Sequence, residues 1–154
     1  MARPERTDAR REASVTREEI VQFFIRREVS WKAHDAATLT ADHADDCVYE
    51  SPLAGKAVGR AAVEQVYRSL FGSFPDLTHA TTDVIIDGDR AVQIAVVSGT
   101  DLGGFMDFPP TGKRFRFPIV HAYTFLEGRI VHETVIYDFT GWLVQIGVLK
   151  AKPV

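Results

Sequence analysis

The chain has 154 residues, 45% of them hydrophobic and 25% charged, with a formal net charge of −3 at pH 7. That length fits one domain burying roughly 70% of its unfolded surface, and the mild acidity argues against nucleic acid or a membrane surface as partner. A single cysteine, Cys47, rules out an internal disulfide, and no Cys or His spacing matches a structural zinc site, which suits a reducing, cytoplasmic setting.

Residues 1–14 interleave arginines with acids and carry no apolar run, so they read as a solvated, disordered extension to one domain over 15–154. No stretch approaches the roughly 18 apolar residues of a membrane span. Thr16 with Glu19 is a capping box, and Ile20, Phe23, Phe24 and Trp31 then share one side of a helix. Asp35 can cap a short second helix carrying Leu39. His43 among Asp42, Asp45 and Asp46 reads as a solvated helix end rather than a metal site. "CVYESP" is a short strand ended by Pro52. Val63, Val66, Tyr67, Leu70 and Phe71 form the apolar stripe of a third helix, stopped at Gly72.

From Thr81 onward the signals are almost all strand. One hairpin turns at Asp87–Gly88 and a second at Glu127–Gly128, with the loop "DLGGFMDFPPTGK" between them. "TGWLVQIG" closes the chain as one or two helical turns. Helices followed by antiparallel strands make an α+β pattern, and a long twisted sheet under helices tends to curl around a pocket.

A two-residue turn at Glu127–Gly128 sets Leu126 against Arg129, which places His121 opposite Thr134 and Phe117 opposite Asp138. His121 and Asp138 then share one face about 13 Å apart at 3.3 Å per residue, too far for a mutual hydrogen bond. Glu133 falls on the other face with Val131 and Val135. Both faces are mixed, so alternation does not say which is concave.

"HDAATLTADHADDCVYESP", "GRAAVEQVYRSLFGSFPD", "VIIDGDRAV", "GTDLGGFMDFPPTGK" and "GRIVHETVIYDFTGWLVQIG" together resemble the SnoaL-like polyketide cyclase and ester cyclase family of the nuclear-transport-factor-2-like fold. The resemblance implies a cone-shaped α+β barrel, its strongly curved antiparallel sheet packed against three N-terminal helices that enclose a pocket. It implies ring closure by intramolecular aldol condensation, with no metal and no organic cofactor. By residue match it makes Asp138 the general acid/base and His121 a support for the developing enolate. It also implies a homo-oligomer, dimer or tetramer, paired through the outer face of the sheet. Many relatives read Gly-Thr-His where this chain has Gly99-Thr100-Asp101, so the substrate does not carry over.

Each candidate has a plainer reading. Asp138 can be an N-cap or half of an ion pair, although Thr140 is better placed to cap. A carboxylate desolvated by the surrounding apolar residues would instead rise toward neutrality and could move an α-proton. His121 is either a satisfied core histidine or a donor to an enolate oxygen. Asp101 is a turn residue or a second pocket acid, as is Asp107. Trp31, Tyr67, Phe105, Met106, Phe108, Phe117 and Trp142 are core, or the walls an apolar or aromatic small-molecule substrate would need. His34, His79 and His132 read mainly as surface residues. Nucleophile-elbow and phosphate-loop motifs are absent, and acids before Cys47 disfavour a thiolate. Epoxide opening through an Asp–Arg–Asp relay around Arg116, or ligand binding without chemistry, are the competing functions.

Overall fold

The computed structural model describes residues 14–153. The extension expected over 1–14 lies, but for Ser14, outside the described residues. Four helices, α1 (Arg17–Ala33), α2 (Ala36–Thr40), α3 (Arg60–Ser73) and α4 (Phe139–Gln145), accompany six strands. These are β1 (His43–Ser51), β2 (Gly55–Val58), β3 (Thr78–Asp87), β4 (Arg90–Thr100), β5 (Arg114–Leu126) and β6 (Arg129–Ile136). The sheet order is β2-β1-β6-β5-β4-β3. β1 runs parallel to β6, so the curved sheet is mixed rather than wholly antiparallel as expected. α4 adds a fourth helix at the C-terminal end.

Local chemistry accounts for the element ends. Thr16 and Glu19 form the capping box of α1, and Asp35 caps α2 by accepting from Thr38 N. Glu127 and Gly128 both have positive φ, 51° and 73°, the geometry of a tight turn matching the strand twist. β5 buries Phe115, Phe117, Ile119, His121, Tyr123 and Phe125 and turns the alternate positions outward.

β6 departs from the simple register. Phe125 pairs with Ile130, but Thr124 pairs with His132, so β6 carries one extra residue, a β-bulge at Val131. Beyond it His121 faces Val135 instead of Thr134, and Glu133 faces Tyr123. Glu133 and Val135 therefore point into the concave face, while His132 and Ile136 point out. A one-residue shift exchanges the two faces of a strand, which corrects the expected sharing of a face by His121, Thr134 and Asp138.

Two apolar clusters fill the space between sheet and helices. One joins Phe23 and Phe24 of α1 edge-on to Tyr123 and Phe125. The other gathers Trp31, Tyr67, Phe74, Phe117 and Trp142. A set of fully buried polar side chains lies where the two clusters meet.

Candidate active site

α1 brings Arg27 and Trp31 inward one turn apart, in line with Phe23 and Phe24. Arg27 is 2% exposed and Glu133 is fully buried, an ion pair with a large desolvation cost that only dense compensation makes tolerable. Arg27 Nη2 donates to Glu133 Oε1 at 3.3 Å and to Tyr67 Oη at 2.6 Å, and Nη1 donates to the Leu39 carbonyl at 2.8 Å. Its guanidinium also lies 5.4 Å from the Tyr123 ring centroid. Tyr67 Oη donates to Glu133 Oε1 at 3.1 Å, and His43 Nε2 lies 2.6 Å from Oε2.

His121 Nδ1 completes the ring of partners, 3.0 Å from Glu133 Oε1. Its Nε2 faces Nε2 of His79 at 3.2 Å, and the His79 ring stacks on Trp31 at 4.2 Å. Burial pushes the Glu133 carboxyl up, but Arg27 and the bonds from His121 and His43 outweigh it and hold the group well below the usual carboxylate range. Burial drives the His121 imidazole down more strongly than Glu133 lifts it, and burial with His121 and Arg27 nearby lowers His79 to about 2. Both rings are neutral at pH 7.

These facts fix the tautomers. Ionised Glu133 needs the proton of His121 on Nδ1, so His121 Nε2 is a bare acceptor. His79 must then carry its proton on Nε2 and donate it to His121.

Above this cluster sits a cavity of about 30 Å³, room for a water or two. His121 joins Trp31, Tyr49, Tyr67, Phe117, Tyr137 and Trp142 in its wall. Leu53, Val66 and Leu70 stand between this cavity and an outer groove of about 310 Å³, which Phe105 and Met106 also line. Burial raises Tyr49 and Tyr67 well above the phenol range and Tyr137 to about 12. Burial moves His121, the imidazole among the described lining residues, the other way and leaves its ring neutral.

The expected residues divide sharply. Trp31, Tyr67, Phe117, His121 and Trp142 converge on the cavity. Asp138 does not: it is exposed and caps α4, its Oδ1 accepting from Gly141 N at 2.8 Å. It takes the cap over Thr140 because Phe139 already begins the helix. Asp101 is 1% exposed, but its Oδ2 accepts from Thr111 N and Oγ1, both at 3.0 Å, so it pins the 101–113 loop and is not among the residues lining the cavity. Phe105 is buried against Phe74 and Trp142, whereas Met106 and Phe108 are exposed. Arg116 is exposed on the outer face of β5, so no relay forms around it in the cavity.

Four residues of the cluster escaped the sequence reading. His43 opens β1 as a buried strand residue instead of ending a helix, and His79 is buried beneath Trp31 instead of at the surface. Arg27 carried a usable signal, since it lies four positions from both Phe23 and Trp31 on the apolar stripe of α1. Glu133 alternates with Val131 and Val135 in the sequence, but the bulge that turns it inward leaves no local mark. Among the described residues no group of three or more His, Cys, Asp or Glu is arranged to hold a metal ion, and no helix is long and apolar enough to cross a membrane.

Comparison with known proteins matches residues 21–146 to the SnoaL-like polyketide cyclase family. Among solved structures, AclR of Streptomyces galilaeus, described as a candidate hydroxylase, is 23% identical with a TM-score of 0.77, over 90% of this chain and 87% of that one. A candidate SnoaL-like polyketide cyclase from Jannaschia sp. CCS1 is 22% identical with a TM-score of 0.77, over 88% and 94% of the two chains. IdmH of Streptomyces antibioticus, described as a candidate polyketide cyclase, is 28% identical with a TM-score of 0.69, over 82% and 97%. No match is found among curated proteins.

Proposed function

Because the chain belongs to the SnoaL-like polyketide cyclase family, we propose that it is an enzyme of cofactor-independent general acid/base chemistry on an apolar or aromatic ketone or ester. The observation that carries this is the placement of His121. It is the imidazole in the described wall of an apolar cavity, held as the Nδ1–H tautomer by a buried carboxylate.

In this reading His121 Nε2 takes an α-proton from the substrate, and the ionised Glu133 stabilises the imidazolium that forms. The enolate carbon then attacks a second carbonyl of the same molecule, forming the ring C–C bond. The resulting alkoxide takes the proton back from His121 Nε2, so the protein ends unchanged and no oxidant is needed. The contact from His79 has to give way as the α-carbon approaches, because it occupies the same lone pair. Entry of a ring-sized substrate also requires Leu53, Val66 and Leu70 to part, joining the cavity to the outer groove.

The test is α-proton exchange of 2-tetralone in D2O, followed by NMR. The wild-type chain is expected to accelerate exchange over buffer and His121→Asn to lose that acceleration. Binding of 2-tetralone with no acceleration by the wild type would instead make this a binding domain. We further propose a cytoplasmic homo-oligomer assembled through the outer sheet face, where Ile85 and Ile136 are more than half exposed. Light scattering reads the oligomeric state directly.

A further inference from the structure

The polar inventory of the cavity wall says which ligand it suits. The phenol of Tyr67 is engaged with Arg27 and Glu133, and that of Tyr137 accepts from Leu53 N at 3.2 Å. His121 has both ring nitrogens occupied. Two donors remain. Trp31 and Trp142 both stand in the wall, are 4% and 3% exposed, and keep their indole Nε1–H groups buried without a hydrogen-bond partner. A buried donor left unpaired costs stability, and an acceptor supplied by a ligand recovers it.

The two indoles stand in different surroundings. The Trp31 ring packs on His79 at 4.2 Å and lies 6.3 Å from His121, beside the proton-exchanging group. The Trp142 ring packs at 5.0 Å from Phe117 and 5.6 Å from Tyr137, toward the α4 end. The charge beneath the cavity is already balanced, because Arg27 is engaged with Glu133. Among the described wall residues, a carboxylate or phosphate would find no free cation to meet it.

We propose that Trp31 and Trp142 are hydrogen-bond donors to two carbonyl oxygens of one neutral aromatic substrate, a diketone, quinone or keto-lactone. This deepens the function proposed above and rests on the cavity being the substrate site. The carbonyl held by Trp31 lies beside His121, where the donor stabilises the enolate oxygen formed by proton removal. The carbonyl held by Trp142 is the more distant electrophile.

The chain contains two tryptophans, so its indole N–H groups give two resolvable proton–nitrogen correlation signals, assigned with Trp31→Phe. The probes are 2,3-dimethyl-1,4-naphthoquinone and 2,3-dimethylnaphthalene, which share a shape and differ by two carbonyl oxygens. The quinone is expected to move both indole protons downfield and to bind the more tightly, the hydrocarbon to do neither. Trp31→Phe and Trp142→Phe are each expected to lower the quinone-over-hydrocarbon preference about five- to tenfold, the worth of one hydrogen bond. Replacing either indole with 3-benzothienylalanine, which keeps the bicyclic shape and removes the N–H, should give the same loss and guards against a variant that folds poorly. Equal affinity for both probes, or unmoved indole protons with quinone bound, overturns the proposal and leaves the cavity as a ligand site. Failure of both probes to bind overturns the cavity reading as well.

Discussion

His121 Nδ1 lies 3.0 Å from Glu133 Oε1 across adjacent strands, and this contact exists because β6 carries one residue more than an ideal hairpin. The bulge at Val131 turns Glu133 inward, where Arg27, Tyr67 and His43 already converge. The carboxylate then does two things. It balances Arg27 in the core, and it fixes which nitrogen of His121 is free to accept a proton.

Removing one member of the Arg27–Glu133 pair strands a buried charge. Arg27→Met and Glu133→Leu are each expected to lower stability by about 3–5 kcal/mol, while the double variant loses less than the sum. Urea unfolding of the three proteins checks this, and additive losses would count against direct pairing.

Acid should weaken the fold earlier than carboxylate protonation alone allows. The unfolded chain protonates His79 and His121 near 6.5, whereas burial keeps both rings neutral in the fold, His79 down to about 2. Below 6.5 the unfolded state binds more protons, so stability falls as pH falls, by about 1.4 kcal/mol per pH unit for each fully titrating ring. Glu133 adds to the loss only below about 4.5, as pH falls toward its depressed folded value. Unfolding midpoints between pH 7 and 5 should decline, and His79→Gln should flatten that decline. A flat wild-type profile would show that the rings charge inside the fold.

Asp138 offers a clean separation of cap from catalyst. Its carboxylate is exposed and bonded to Gly141 N. Asp138→Ala is expected to cost about 1 kcal/mol, and Asp138→Asn, itself a good cap, much less. Both should retain acceleration of 2-tetralone exchange. Loss of that acceleration in Asp138→Asn with an unchanged melting temperature would return the acid/base role to Asp138.

Gly103 is fixed by a close approach and not by a turn. A Cβ there would sit 2.1 Å from the Gly72 carbonyl oxygen, at the end of α3. Gly103→Ala must push the 101–113 loop off that helix, for an expected loss of about 1–3 kcal/mol. A thermal melt within a degree of wild type would contradict the contact.

Helix α1 with its capping box, the apolar stripe of α3 and both tight hairpins were legible because each depends on residues within a few positions of one another. Trp31, Tyr67, Phe117, His121 and Trp142 were named from residue type and family resemblance, because alternation left open which sheet face is concave, and the structure places all five in the cavity wall. Met106 and Phe108 lie outside the cavity wall, Met106 in the outer groove, and a loop has no period to say which side is inward. The cap at Asp138 was not legible because it depends on α4 beginning at Phe139.

By itself, then, the sequence determined an α+β chain with a curling sheet, the family it resembles and the strand that carries His121. Only the tertiary structure decided what stands opposite that histidine. A single extra residue in β6 reverses the facing of every position after it, and nothing in "GRIVHETV" marks which residue will bulge. Burying Glu133 is tolerable only where Arg27 from α1, Tyr67 from α3, His43 from β1 and His121 from β5 meet it at once. That coincidence of four distant elements is a property of packing, which no local pattern records.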